Sequence, residues 1–192
     1  LSVRLKADLA SSQLCQQPVQ RIGEGLSVTL AVSGLSATHL SLLAQIGEQV
    51  AHCQALAEAA GHGNRTWRAY LSTQGDGAVN ARDRIGPGPW FNAQGTRIAA
   101  NVDELHSDQH RMSVFTALDE RGRRIPGSGY APNRHDVLTG SRPDGTAYPP
   151  GEDMTCNNWT SSSDYAKARV GHHDFAAWNS AHRRGATLAV TE

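Results

Sequence analysis

From Gly75 to residue 163 the chain is punctuated by Gly, Pro, Asn and Asp, and apolar residues come only in short pieces. Those pieces are Trp90-Phe91, residues 97–102 and residues 114–118. The stretch is far longer than an ordinary connection between elements. It also lacks the 3.6-residue periodicity that a helical bundle requires. It therefore predicts a long excursion of short strands and turns, held together by scattered aromatic side chains. Loop-rich domains carry their function in the loops, which fixes where candidate site residues are to be sought.

The regular elements predicted outside this excursion are few. Leu26, Val28, Leu30 and Val32 alternate with Ser27, Thr29, Ala31 and Ser33, the period of a half-buried strand. Ser36 is a candidate N-cap for a helix whose apolar face is Leu40, Leu43, Ile46, Val50, Cys53, Leu56 and Ala60. Gly61-His62-Gly63 closes it as a C-terminal signal, and Gly47 is a point at which it can split. Residues 66–72 read as a short strand with Trp67, Ala69 and Leu71 on one face, and residues 187–191 as a last strand. Residues 1–25 read as a polar, poorly ordered arm, leaving 26–192 as a single domain. The order strand, helix, strand, long irregular region, strand is that of an α+β domain.

Composition removes several classes of function. Of 192 residues, 18 are basic and 18 acidic, so the formal net charge is zero. A nucleic-acid binder needs a cationic excess, and none exists. The apolar stretch 26–46 is broken by Ser27, Thr29, Ser33, Ser36, Thr38, His39 and Ser41, too polar to sit in hydrocarbon. Residues 1–14 show no secretory signal, since Arg4, Lys6 and Asp8 interrupt them. The three cysteines, Cys15, Cys53 and Cys156, form no CxxC, so neither a zinc knuckle nor a thioredoxin-like site is indicated. Buried or free thiols, or a disulfide-stabilised extracytoplasmic domain, are both open on this count.

Two segments carry a family resemblance. One is Ala51-His52-Cys53-Gln54-Ala55-Leu56-Ala57-Glu58-Ala59-Ala60-Gly61 followed by Asn64-Arg65-Thr66-Trp67-Arg68-Ala69-Tyr70-Leu71-Ser72. The other is His135-Asp136-Val137-Leu138-Thr139-Gly140-Ser141-Arg142-Pro143-Asp144-Gly145, then Met154-Thr155-Cys156-Asn157-Asn158-Trp159-Thr160-Ser161. With Gly171-His172-His173-Asp174 and Trp178-Asn179-Ser180-Ala181-His182 following, residues 50–182 resemble bacterial secreted lectin-like proteins. Their endostatin-related domain is a variant of the C-type lectin-like fold. The resemblance implies a short mixed or antiparallel sheet, one or two helices and a long loop region. It also implies secretion or a periplasmic location, and a glycan or cell-surface polymer as ligand. Residues 1–49 and 183–192 depart from the family pattern. The two C-terminal cysteines that would face the positions of Cys53 and Cys156 are missing, which admits a disrupted reading frame as an alternative origin.

The candidate site residues lie in the loops. His172, His173 and Asp174 form the candidate metal-ligating triplet, with zinc as its ion; the intervals are not those of a known zinc signature, and histidines that hydrogen-bond loop backbone are the plainer reading. His135-Asp136 and His182 add to it, as do His106 and His110, four residues apart and so on one face of a helix. Calcium is suggested by the resemblance: Arg142-Pro143-Asp144 and Trp178-Asn179-Ser180 are partial echoes of C-type lectin calcium triplets. Arg142, however, cannot ligate a cation, and Pro143-Asp144-Gly145 also reads as a turn. Trp90, in Gly86-Pro87-Gly88-Pro89-Trp90-Phe91, is the tryptophan expected to be exposed, while Trp67 and Trp159 are expected in the core. Trp90, His135, Asp136, Asp144, Trp178 and Asn179 are thus the candidate ligand-binding set. No GxSxG, P-loop, GxGxxG or HExxH is present. The expectation is a non-enzymatic binding module, with a metal-dependent enzyme using the His/Asp cluster as the alternative.

Overall fold

A computed structural model describes residues 19–20, 51, 53–119, 121–161 and 165–185. It is an α+β arrangement of short helices and two three-stranded antiparallel sheets. The first sheet joins β1 (Val19–Gln20), β2 (Trp90–Phe91) and β3 (Arg97–Ala99) in that order. The second joins β4 (Asp136–Leu138), β5 (Lys167–His172) and β6 (His182–Gly185). The predicted strand at 26–32, the first part of the predicted helix and the predicted strand at 187–191 lie outside the described residues. So does the predicted arm, apart from Val19–Gln20, which pair with β2.

Helix α1 covers 53–59 and ends where the sequence places its stop. Gly61 has φ +80°, its N–H donates to Glu58 O, and the His62 N–H donates to Ala57 O. This pair of bonds is the Schellman arrangement, which a side chain at position 61 would strain. Cys53 and Ala57, one turn apart, face Trp67, Ala69 and Leu71, with Leu56 and Trp159 packed beside them. Tyr70 points the other way, into a second cluster with Ala81, Ile85, Trp90, Ile98, Ala99, Leu105 and Trp178. Residues 66–72 therefore have the two-residue alternation of a strand and form the wall between the two cores. Yet they form no strand ladder. The Trp67 amide is taken by the Gln54 side chain and the Ser72 amide by Thr139 O, so the alternation survives without a sheet partner.

The long excursion is built from turns, as its punctuation predicts. It contains two short helices, α2 (Ala81–Arg84) and α3 (Val102–Leu105). The Asn101 side chain accepts from Glu104 N and caps the start of α3. Residues 114–118 do not form a strand; only Leu118 makes an isolated bridge, to Arg124. Strands β5 and β6 were not expected from the sequence.

The last helical element, α4 (Cys156–Trp159), is of the opposite hand. Its four residues have φ of 49°, 55°, 52° and 68°. Such backbone costs L-residues roughly 1–2 kcal/mol each, least for asparagine. Three contacts hold it. Asn158 and the Gln74 backbone bond reciprocally, Gln74 N donating to Oδ1 and Nδ2 donating to Gln74 O. The Trp159 indole N–H donates to Ser72 O, and Thr155 caps the turn by accepting from Asn158 N. Gln74 completes the clamp, donating to Pro149 O and Glu152 O and accepting from Met154 N.

Candidate functional site

The second sheet brings distant titratable residues together. Asp136, the first residue of β4, lies directly across from His172, the last residue of β5. His135 precedes Asp136, and its ring stacks on that of His172 with centroids 4.2 Å apart and planes 5° from parallel. Asp136 Oδ1 is 3.4 Å from His135 Nε2 and 3.3 Å from His172 Nε2. From β6, His182 brings Nδ1 to 3.1 Å from His172 Nε2. Burial, then the neighbouring His135, pushes His172 below the ordinary histidine value.

The connection from β5 to β6 is fixed by a close backbone crossing. A Cβ on Gly171 would lie 1.9 Å from Trp178 O. Only glycine permits that approach. His172 N then donates to Ala177 O, and Phe175 N to His172 O, which folds 173–177 into a tight turn. Phe175 is left 49% exposed, its ring edge-on to both stacked histidines at 6.1 and 6.0 Å. Asp174, with a side chain only 4% exposed, turns inward. Its Oδ2 accepts from Ser128 N, and its Oδ1 is 3.3 Å from His135 Nδ1. The turn that begins at Gly127 rests against Asp174 and carries Tyr130, which is 50% exposed.

The expected metal triplet is split where β5 ends. His173 is the first residue of the turn that follows the strand, and its ring does not join that of His172 in the ligand grouping. His173 is buried, 2% exposed, and lies against the Pro126 backbone. Burial holds it below the ordinary histidine value, against the opposing pull of the Asp174 carboxylate. The grouping among the described residues is instead His135, Asp136 and His172, whose ligand atoms all lie within 4.8 Å of one another.

The other expected residues have structural roles. Trp90 is 1% exposed in the larger core, which corrects the expectation that it is exposed; its ring fills the space at Gly88, where a Cβ would lie 2.7 Å from it. Trp67 and Trp178 are buried, as is Asn179; the Trp178 indole N–H donates to Leu105 O. His106 and His110 do not share a helix face, because α3 ends at Leu105; both rings flank Trp178 instead.

The two calcium-triplet echoes do meet, but not as cation ligands. Asn179 Nδ2 donates to Arg142 O, Pro143 O and the Tyr70 hydroxyl. The Asp144 carboxylate accepts from Thr146 N and Oγ1, which lowers its pKa. A donor amide and a turn-bound carboxylate do not fit a calcium shell. Here Tyr70 is the centre of a closed relay. His106 Nδ1 donates to Val102 O at 2.7 Å, so Nε2 is left to accept from the Tyr70 hydroxyl, also at 2.7 Å.

Two of the site's aromatic residues, Phe175 and Tyr130, had no signal in the sequence beyond lying near His173 and Pro132. Their exposure follows from turns that local pattern does not specify. Comparison with protein-family models, curated proteins and solved structures finds no match to this chain.

Proposed function

We propose that the protein is a non-enzymatic, extracytoplasmic binding module with a C-type lectin-like fold of the endostatin-related kind. Its ligand is a glycan or other cell-surface polymer, docked at the end of the second sheet. The observation that carries this reading is the half-exposed Phe175 ring set against the His135–His172 stack. An aromatic face beside polar donors and acceptors suits a molecule with apolar C–H faces and many hydroxyls. Tyr130 extends the aromatic rim. Cys53 is disulfide-bonded, which supports an oxidising compartment. Among the described residues no helix is long and apolar enough to cross a membrane.

The test is a glycan and cell-wall polymer array probed with the full chain and with Phe175→Ala. Binding by the wild type that falls at least tenfold in Phe175→Ala supports the reading. Phe115→Ala, whose exposed ring packs instead against Arg124, is expected to bind as the wild type does. No binding on the array, or equal binding by wild type and Phe175→Ala, overturns it. A metal-dependent enzyme using the same His/Asp cluster is the second reading, favoured by the three-residue ligand grouping. Turnover of an arrayed polymer, lost in His172→Ala, would establish it in place of simple binding.

A further inference from the structure

We propose that His135, Asp136 and His172 form a three-ligand site for a divalent first-row transition metal of the zinc class, with Asp174 as the residue that positions His135. The inference concerns the surface assigned above to ligand binding, but it does not depend on the glycan reading.

Distance is the first argument. The separations of 3.4 and 3.3 Å between Asp136 Oδ1 and the two imidazole Nε2 atoms are long for charge-assisted hydrogen bonds. They match a shared ion instead. Tetrahedral zinc with bonds of about 2.0–2.1 Å places its ligand atoms about 3.3 Å apart. The site is drawn from two strands in fixed antiparallel register, so the spacing between Asp136 and His172 is set by the backbone.

Donor chemistry is the second. Two imidazole nitrogens and one carboxylate oxygen suit zinc, cobalt or nickel, whereas calcium and magnesium demand oxygen. Three protein ligands leave a tetrahedral ion one position for an external group.

The third argument is Asp174. Its side chain is almost wholly buried, yet Oδ1 makes no hydrogen bond and faces His135 Nδ1, which makes none either. A carboxylate on Nδ1 holds the proton there and turns the Nε2 lone pair toward the ion, the usual arrangement behind a metal-bound histidine. Gly127 is needed for this, because a Cβ at that position would lie 2.4 Å from Asp174 Oδ2. Metal entry requires that His172 Nε2 give up its contact with His182 Nδ1.

The experiment is a cobalt(II) titration of the full chain after chelator treatment, followed by displacement with zinc, with no glycan present. The expected result is one equivalent of cobalt with the visible absorption of a tetrahedral N/O site, bleached by one equivalent of zinc. Asp136→Asn and His172→Gln are expected to lose this absorption while keeping the wild-type near-UV circular dichroism. Asp174→Asn is expected to keep the stoichiometry and band shape but weaken affinity by roughly 10–100-fold. His110→Ala is expected to bind as wild type. Absence of a cobalt band in a folded wild-type chain overturns the site, as does undiminished binding by Asp136→Asn or His172→Gln. Wild-type affinity in Asp174→Asn overturns the positioning role. Because no polymer is present, these outcomes are independent of the array result.

Discussion

Two histidine-containing clusters lie at the two ends of the segment 172–179, and they use similar residues to opposite effect. At one end Tyr70, His106, Trp178 and Asn179 close a network in which the Tyr70 hydroxyl, the His106 ring, the Trp178 indole and the Asn179 amide all have partners. At the other, His135 Nδ1 and Asp174 Oδ1 face each other without a hydrogen bond. A satisfied buried network fixes architecture, whereas buried polar atoms left without hydrogen bonds are poised to act on a neighbouring group. The difference therefore separates a part of the molecule that sets the shape from the part proposed to bind.

The sharpest way to break the contrast is to remove the crossing that joins its halves. Gly171→Ala drives a Cβ into Trp178 O and is expected to cost about 4 kcal/mol or more, or to prevent folding, as read by thermal melting. Next is the open end. Zinc at about a hundred times its Kd is expected to stabilise the wild type by about 2.7 kcal/mol. In His135→Ala that gain is expected to vanish while the metal-free melting temperature stays close to wild type. A matching loss of metal-free stability would show the cluster to be architectural after all.

The closed end should respond in reverse. Tyr70→Phe strands His106 Nε2 and one of the Asn179 donors, for an expected loss of about 1–3 kcal/mol, with metal binding unchanged. Acidification offers a gentler probe. Burial holds His106 below its ordinary value of 6.5 in the fold. The neutral form is favoured by folding, so this contribution to stability is complete above about pH 6.5 and declines as pH falls through the lower folded value. Melts between pH 7 and pH 5 should show that decline together with those of His172 and His173, and His106→Gln should make it shallower. The smallest effect concerns Cys156. Burial, aided by Asp153, pushes its thiol up to about 11, so thiolate is scarce at pH 8. Alkylation of the native protein followed by mass spectrometry should leave Cys156 unmodified, while the unfolded chain reacts.

These contrasts also show which features were legible in the sequence. The stop of α1 was, because Gly61 performs a local task that its neighbours report. The apolar face of residues 66–72 was too, since alternation needs no partner. Membership of the proposed metal cluster was only half legible. His135, Asp136 and His172 each stood out as ligating types, but their meeting is a cross-strand event fixed by the register of β4 on β5. The proximity of His172 to His173 in sequence pointed to a shared site, but the chain turns after His172 and buries His173. Trp90 was misplaced for a related reason. Its Gly-Pro setting marks a turn correctly, but a turn can lay a large ring over a glycine as readily as expose it.

The left-handed turn at 156–159 supplies a criterion for deciding which related sequences share this geometry. Asparagine is the side chain that best tolerates this backbone after glycine, and two stand at its centre. A homologue with Asn or Gly at position 157, Asn at 158 and Gln at 74 can retain the same clamp between the first core and the segment that follows it. A homologue with a β-branched residue at either central position must route that segment differently. Its histidines, however similar in order along the chain, would then have no claim to the same geometry.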